Sequence, residues 1–456
     1  MIDYRFEKGI ATKAAESLLR AGLEKYEGTT VLSASGKTFL PVEYDGASRT
    51  ESGGAPQPGA RLAAALLWLG AAAAIVGMAI FLPFAWDAKD YLLALQQYRA
   101  YVNGQISASL AYSPLFMIPT LGVARLLPLW LTIALFAVAY FSGWLLQLWV
   151  GMQFATPEER RILRYVAPVI AFFPGLLIND VIVSGNLAYI LYGLMLAAAA
   201  FGWKRGRWFW FYLAVLAAAC VKVHLLTMLA VPVLSSRRQW LRTTLTATTG
   251  LALYGLQSRI WPQAFHVYWN TLQTMSQSRR DFGCGPAGNL ARVLQIMGLP
   301  YEKTCVLFYA VYAVAMFLTL LWLSRLYRDR KVCFASWAPV MLIGVVLLNP
   351  RILTYDAAAV SLPMALVAWR SLREVAPASR KKALILSAIV LLALNVFVEA
   401  NEDFVTMLPD AWKYLEMVLM LGIFAAGART LLREASNTPV PGSLESDLPS
   451  FDYAGA

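Results

Sequence analysis

Two acids, Asp87 and Asp90, follow the first long apolar stretch of the chain, in a sequence with few water-seeking side chains. Others come later at intervals: Asn179, Asp180, Asn186, Lys222 and His224. The run 276–292 adds Arg279, Arg280, Asn289 and Arg292, and Asn349, Arg351, Tyr355 and Asp356 complete the set. The chemistry divides by sign. Arginine and lysine donors suit a phosphate or diphosphate, which they bind through charge-assisted hydrogen bonds. A carboxylate suits general-base work, taking a proton from a sugar hydroxyl. A lipid-phosphate sugar needs both, because the base raises the nucleophilicity of the acceptor while cations stabilise charge building on the departing phosphate. No metal or other cofactor is required if Arg and Lys neutralise a single phosphate.

These residues must be positioned by membrane helices. Of 456 residues, 59% are hydrophobic and only 14% charged, so the chain cannot cover itself with polar surface in water. Several apolar runs reach the length that crosses a bilayer. Backbone groups cannot stay unpaired in lipid, which makes helices the expected spans. The fold class is therefore an all-α polytopic membrane protein. The net charge of +12 could suggest nucleic acid, but Lys and Arg sit in short clusters between spans, as the positive-inside rule requires. That excludes nucleic acid as the natural partner and leaves membrane lipids. Residues 1–60 read as a small cytoplasmic N-terminal arm: a helix over 4–25, a strand pair over 29–44, and a Gly/Pro/Ser linker. The fragment Ser35-Gly36-Lys37-Thr38 lacks the first glycine of a phosphate loop and is read as chance.

Spans are expected at about 62–86, 121–150 (tilted or interrupted at Pro128), 165–178, 187–203, 243–260, 304–323, 332–348, 357–369, 383–398 and 414–426. The stretch 208–234 lies between two basic loops and is too short for two full spans. A hairpin of two half-length helices fits it, with Lys222 and His224 near the tip, since broken backbone at membrane depth is tolerated inside protein or around a wet cavity. This gives ten to twelve transmembrane helices in a domain over 61–428, with both termini cytoplasmic and a disordered tail over 429–456. The candidate residues then share the outer face of a plasma membrane. Charge at membrane depth is costly, so Lys222 is expected to have a partner or a function.

In order and side, these motifs resemble the membrane-embedded C-type (GT-C) glycosyltransferases, in particular bacterial polyprenyl-phosphate-mannose-dependent α-mannosyltransferases. The family's Asp after the first span, Tyr four positions on, later Gly and Tyr-x-Pro turn look like Asp87, Tyr91, Gly104 and Tyr112-Ser113-Pro114. Its Gly-Gln-x-Asn-like patch is reduced here to Ser184-Gly185-Asn186. Its Lys-Pro patch looks like Lys222-Val223-His224, without the proline. Asn289-Leu290-Ala291-Arg292 matches a patch of the long outer loop. Asn349-Pro350-Arg351 with Tyr355-Asp356 matches a later one, without its Trp. The resemblance covers residues 62 to 370 and none of the arm. It implies an inverting, metal-independent mannosyltransferase of the bacterial cell envelope. Asp87 would be the catalytic base, and Asp90 an acceptor contact or structural partner. The donor would be a polyprenyl-phosphate sugar and the acceptor a lipid or glycan.

Cys284 and Cys305 end the same outer segment and are candidates for a disulfide, whereas Cys220 and Cys333 read as small apolar residues. Trp68, Trp86, Trp203, Trp208, Trp210 and Trp261 fall where interfacial aromatic belts lie. Tyr268 and Trp269 are the aromatics placed to stack on substrate. The alternatives are a secondary transporter or lipid flippase, and a polysaccharide polymerase or ligase. A transporter would show two related halves, and no such internal similarity is visible.

Overall fold

A computed structural model describes residues 58–105, 112–172, 185–277, 285–375 and 411–437, with a few isolated positions between 379 and 390. The expected arm lies outside the described residues as far as 57, as does most of the span expected at 383–398. Every regular element among the described residues is helical.

The helices run in order α1 (Pro58–Phe81), α2 (Trp86–Gln96), α3 (Tyr98–Val102), α4 (Pro114–Ala124), α5 (Leu129–Gln153), α6 (Pro157–Phe172), α7 (Ala188–Arg205) and α8 (Phe209–Val221). A 3₁₀ helix (Val223–Leu229) then leads into α9 (Ala230–Ser235), α10 (Trp240–Ile260), α11 (Pro262–Gln277) and α12 (Pro286–Ile296). The last are α13 (Glu302–Arg328), α14 (Phe334–Leu347), α15 (Thr354–Ala358), α16 (Ser361–Val375) and α17 (Ala411–Asn437).

Among the described residues, three segments are long and apolar enough to cross a bilayer: Arg61–Phe84, Leu129–Gln153 and Lys303–Arg328. Four apolar helices are shorter, at Pro114–Ala124, Phe209–Val221, Val223–Ser235 and Phe334–Leu347. The long segments turn large apolar side chains outward. On α1, Leu62, Leu66, Leu69, Val76 and Ile80 are exposed while the small Ala71 is buried. That is the pattern of a helix in lipid, where small residues make the helix contacts, and it marks a membrane protein.

The expected second span is split. Pro119 is held inside α4, the chain breaks over 125–128, and α5 starts one residue after Pro128. The proline lacks the N–H to continue a helix, so α5 alone is the long crossing. α5 meets α7 closely at glycines. A Cβ at Gly143 would stand 2.5 Å from the Tyr189 carbonyl oxygen, and Gly193 lies as tightly on the Gly143 backbone. Around that crossing, Tyr189 packs on Tyr140 (centroids 5.0 Å) and Trp144 (5.6 Å), and Gln147 Nε2 donates to its carbonyl at 2.7 Å. This crossing fixes the start of α7.

The 208–234 stretch is broken as its length requires, with α8 stopping at Lys222 in extended geometry (φ −138°, ψ 102°). Its two ends come back together: Trp203 Nε1 donates to Ser235 Oγ at 2.8 Å, and its ring meets Trp208 edge-on. The tail expectation needs correction. Helix α17 continues through 429–437, and Glu434 Oε1 accepts from Cys333 N at 2.8 Å, so these residues are anchored to the start of α14.

One buried ion pair ties four segments at the end of the bundle away from Asp356. Asp356 lies in α15, whereas Arg370 lies in the second half of α16, beyond the break at 359–360. Arg370 donates to both oxygens of Glu159 (2.7 and 2.8 Å), to the Phe154 carbonyl at 2.9 Å and to the Ala335 carbonyl. Glu159 also closes a capping box with Thr156 at the start of α6, accepting from Thr156 N at 2.8 Å. Burial alone would raise the Glu159 carboxyl, but Arg370 and the Thr156 backbone outweigh it and hold it below the ordinary glutamate range. A carboxyl with a depressed folded pKa stabilises the fold above its unfolded value, about 4.3, and loses that contribution as pH falls through the folded value. Thermal unfolding from neutral to acid pH is therefore expected to fall more steeply in the native chain than in Glu159→Gln, with the variant the less stable at pH 7.

Candidate functional site

Asp87 occupies the first turn of α2. Leu82–Phe84 forms a single 3₁₀ turn after α1, and Ala85, in extended conformation, starts the new helix. The carboxylate thus meets the positive end of a helix dipole. Its Oδ2 accepts from Asn186 Nδ2 at 2.7 Å and from the Tyr112 hydroxyl at 3.3 Å. Both bonds end on Oδ2, and Oδ1 accepts none among the described residues. Burial raises the Asp87 carboxyl above the ordinary aspartate range, although Lys222, Asn186 and Tyr112 pull it down.

Asn186 is the hinge of the cluster. Its amide nitrogen faces Asp87, while Oδ1 accepts from Lys222 Nζ at 2.9 Å and from Ala188 N at 3.0 Å. Only one orientation of the amide gives a donor to the carboxylate and an acceptor to the ammonium. Gly185 delivers it there. Its φ is +74°, and a Cβ would lie 3.0 Å from Ala88 N, the residue after Asp87. Gly185→Ala is expected to cost about 1–2 kcal/mol from the left-handed conformation alone and to push Asn186 off Asp87. A thermal melt reads the first effect, and a transfer assay the second.

Lys222, only 6% exposed, caps the broken end of α8. Its ammonium lies 4.4 Å from the Tyr355 ring centroid and 5.0 Å from that of Tyr112, a cation between two π faces. It stands in the combined field of Asp356, Asp87 and Arg351. Asp356, 1% exposed, accepts from Leu353 N at 2.9 Å, and burial holds its carboxyl above the usual range. Tyr91, one turn beyond Asp87, packs its ring on Tyr112 at 5.5 Å. His224 follows Lys222 by two positions, and its buried Nε2 has no hydrogen-bond partner among the described residues. Arg351 N donates to Asn349 Oδ1 at 3.1 Å, which turns the 349–356 loop around this cluster.

Asp87, Tyr91, Tyr112, Asn186, Lys222, His224, Arg351, Tyr355 and Asp356 thus form one group drawn from five separate stretches of sequence. Asp90, half-buried on the same side of α2, acts on Asp87 by like charge. Asn289 and Arg292 are carried by α12. The start of α12 reaches the 349–356 loop, where a Cβ at Gly285 would be in ordinary contact with Ile352 at 3.6 Å. Arg279, Arg280, Asn179 and Asp180 lie outside the described residues. Tyr268 is buried on α11 beside Tyr254, while Trp269 is exposed and stacked on Phe265. Neither adjoins Asp87 in the hydrogen bonds and ring contacts of the cluster. Cys305, one end of the candidate bridge, is a free, buried thiol. Cys284 itself is outside the described residues. Among the described residues, no three His, Cys, Asp or Glu side chains converge as metal ligands.

Two supporting residues escape a reading by motif. Gln257, fully buried in α10, accepts from Ser113 Oγ at 2.6 Å and from Leu115 N at 3.4 Å. Ser113 N in turn donates to the Val221 carbonyl at 3.3 Å. The Tyr112-Ser113-Pro114 turn is thereby pinned between α10 and the residue before Lys222. A lone glutamine within an apolar span was the available signal, because a polar side chain there needs a partner. Gly104 (φ +65°) serves a different place: a Cβ there would stand 3.0 Å from the Gln263 carbonyl oxygen, in an open cleft lined by Asn103, Pro262, Gln263 and His266.

No family model, no curated protein and no solved structure matches this chain.

Proposed function

We propose that this protein is a C-type membrane glycosyltransferase of ten to twelve spans. It would move a mannose-like sugar from a polyprenyl-phosphate donor to a lipid or glycan acceptor at the outer face of a bacterial plasma membrane. The observation that carries this reading is the Asp87 carboxylate, oriented through Oδ2 by Asn186 and Tyr112, directly after a long apolar helix and one amide away from buried Lys222.

In this reading the acceptor hydroxyl attacks the anomeric carbon and gives its proton to Asp87 Oδ1. The bond from that carbon to the phosphate oxygen breaks on the opposite face, so the centre inverts. The electron pair leaves with polyprenyl phosphate, whose charge Lys222, Arg351 and the free ring nitrogen of His224 receive. Arg279, Arg280 and Arg292, with Asn289, are the further donors proposed for the phosphate. Tyr91, Tyr112, Tyr355, Asp90 and Asp356 shape the sugar and acceptor pocket.

A second reading, a lipid flippase or secondary transporter, draws on one feature: a helix broken at membrane length with Lys222 at the break. The purified protein in liposomes, given polyprenyl-phosphate mannose and membrane acceptor lipids, separates them. Transfer yields a new glycosidic product and an equal amount of free polyprenyl phosphate. Movement of intact donor between leaflets, with no covalent product, sinks the transferase reading. A product lengthened by many sugar units instead favours a polymerase.

A further inference from the structure

Helix α12 leaves large apolar side chains outward, unlike a helix lying on a protein surface in water. Its inward side includes Ala287 and Ala291, 7% and 1% exposed, and the helix packs against α13. Its outward stripe is Val293, Ile296 and Met297, at 46%, 77% and 63%. Positions three and four apart share a helix face, so Val293, Ile296 and Met297 line the outward side while half-buried Leu290 and Leu294 lie with the alanines. Water would not leave the three outward side chains uncovered. Small residues against a neighbouring helix with large ones outward is packing in lipid.

α13, within a segment apolar enough to cross a bilayer, likewise turns large apolar side chains outward at Val306, Leu307 and Val311. Only 297–301 separate the two helices. Gly298, at φ +68°, turns the chain between them, and Leu299 is exposed as well, so the apolar surface continues from one helix to the other. Arg292 carries the single formal charge in 285–301. An eleven-residue helix is about 16 Å long, too short to span.

We infer that α12 lies within the membrane interface, with Val293, Ile296 and Met297 in the acyl chains of the leaflet nearest the 349–356 loop, which its first residues touch. The helix then forms a wall between that leaflet and the polar cluster. This inference concerns the bilayer alone and stands whatever reaction the cluster performs.

The full-length protein tests it in phosphatidylcholine nanodiscs. Ile296→Cys and Met297→Cys, each with the four native cysteines replaced, are labelled with a nitrobenzoxadiazole probe. The expected result is blue-shifted emission that doxyl lipids quench strongly and iodide weakly, with the reverse for Arg330→Cys in an exposed turn. Emission at both sites matching the Arg330 control overturns the inference. So does shielding from both quenchers together with cross-linking of two copies through position 296, which would mean a second copy covers the stripe. If the labelled variants do not fold, the native chain answers with a lipid bearing a diazirine in its acyl chain. Cross-links in the peptide 286–299 support immersion, and their absence there, with cross-links present in 303–328, overturns it.

Discussion

Asp87→Asn is expected to lower the turnover of sugar transfer by about 10²–10⁴-fold, the usual contribution of a general base, with the fold intact. The substitution keeps shape and keeps an oxygen that can still accept from Asn186 and Tyr112, so the two hydrogen bonds on Oδ2 have a successor. What is lost is the ability to take a proton. Donor binding should change little, because Lys222 and Arg351 remain. The loss is therefore expected in kcat, with KM for the polyprenyl-phosphate sugar nearly constant. The native protein adds a pH signature. Burial raises the Asp87 carboxyl despite Lys222 and its two hydrogen bonds, and a base works only when deprotonated. The acid limb of kcat/KM should accordingly sit above the ordinary aspartate value of about 3.9, with activity rising as pH increases through it. Asp90→Asn removes a like charge and should move that limb slightly toward acid while leaving most of the activity. Full turnover in a folded Asp87→Asn protein would remove Asp87 from the chemistry.

The members of this cluster were legible in sequence because charge and amide groups are rare in so apolar a chain, and each must answer for its cost. Asp87, Lys222 and Asp356 stood out in that way, and the break of α8 at Lys222 followed from counting residues between basic loops. The weakened Ser184-Gly185-Asn186 patch proved the least deserving of discount. Its glutamine is missing, yet Gly185 supplies the left-handed turn and Asn186 the link between acid and ammonium. Pairings across long separations had no such signal. Arg370 reads as one more basic residue at a span end, and only folding brings it to Glu159, 211 positions earlier in the chain. The break over 125–128 was half legible: Pro128 marked it, but hydropathy ran through it and merged α4 with α5. The length of α17 was missed for the opposite reason. Polar residues 429–437 read as tail, although Glu434 has the Cys333 backbone to hold.

Lys222→Met carries the second large effect, and it falls on stability first. Methionine can fill the space between the Tyr112 and Tyr355 rings, but it leaves Asn186 Oδ1 without its ammonium donor and two carboxylates without the cation between them. Asp356 is 1% exposed and senses Lys222 through its field, with no direct ion pair between them among the described residues, so the loss is expected to fall below the ~3–5 kcal/mol of breaking a buried ion pair. Adding Asp356→Asn to this variant removes the more deeply buried of the stranded charges. The double variant should recover a substantial part of the lost stability, so that the two single effects sum to more than the double. The pH dependence has a definite sign. Burial already lifts the Asp356 carboxyl above its unfolded value, and without Lys222 it rises further. A carboxyl raised on folding costs stability as pH climbs through its unfolded value toward its folded one. The gap between native and Lys222→Met proteins should therefore widen toward neutral pH and narrow on acidification, an effect reduced to the share of Asp87 when Asp356 is Asn. Thermal unfolding of the four proteins across pH measures this. Strictly additive single effects would mean that Lys222 and Asp356 do not sense each other in the folded state. Sugar transfer is expected to stay lost in the double variant even where its melting approaches the native value, since nothing in it replaces the cation that receives the leaving phosphate. Recovery of stability without recovery of transfer is what separates a lysine that only balances buried acids from one that also acts on the substrate.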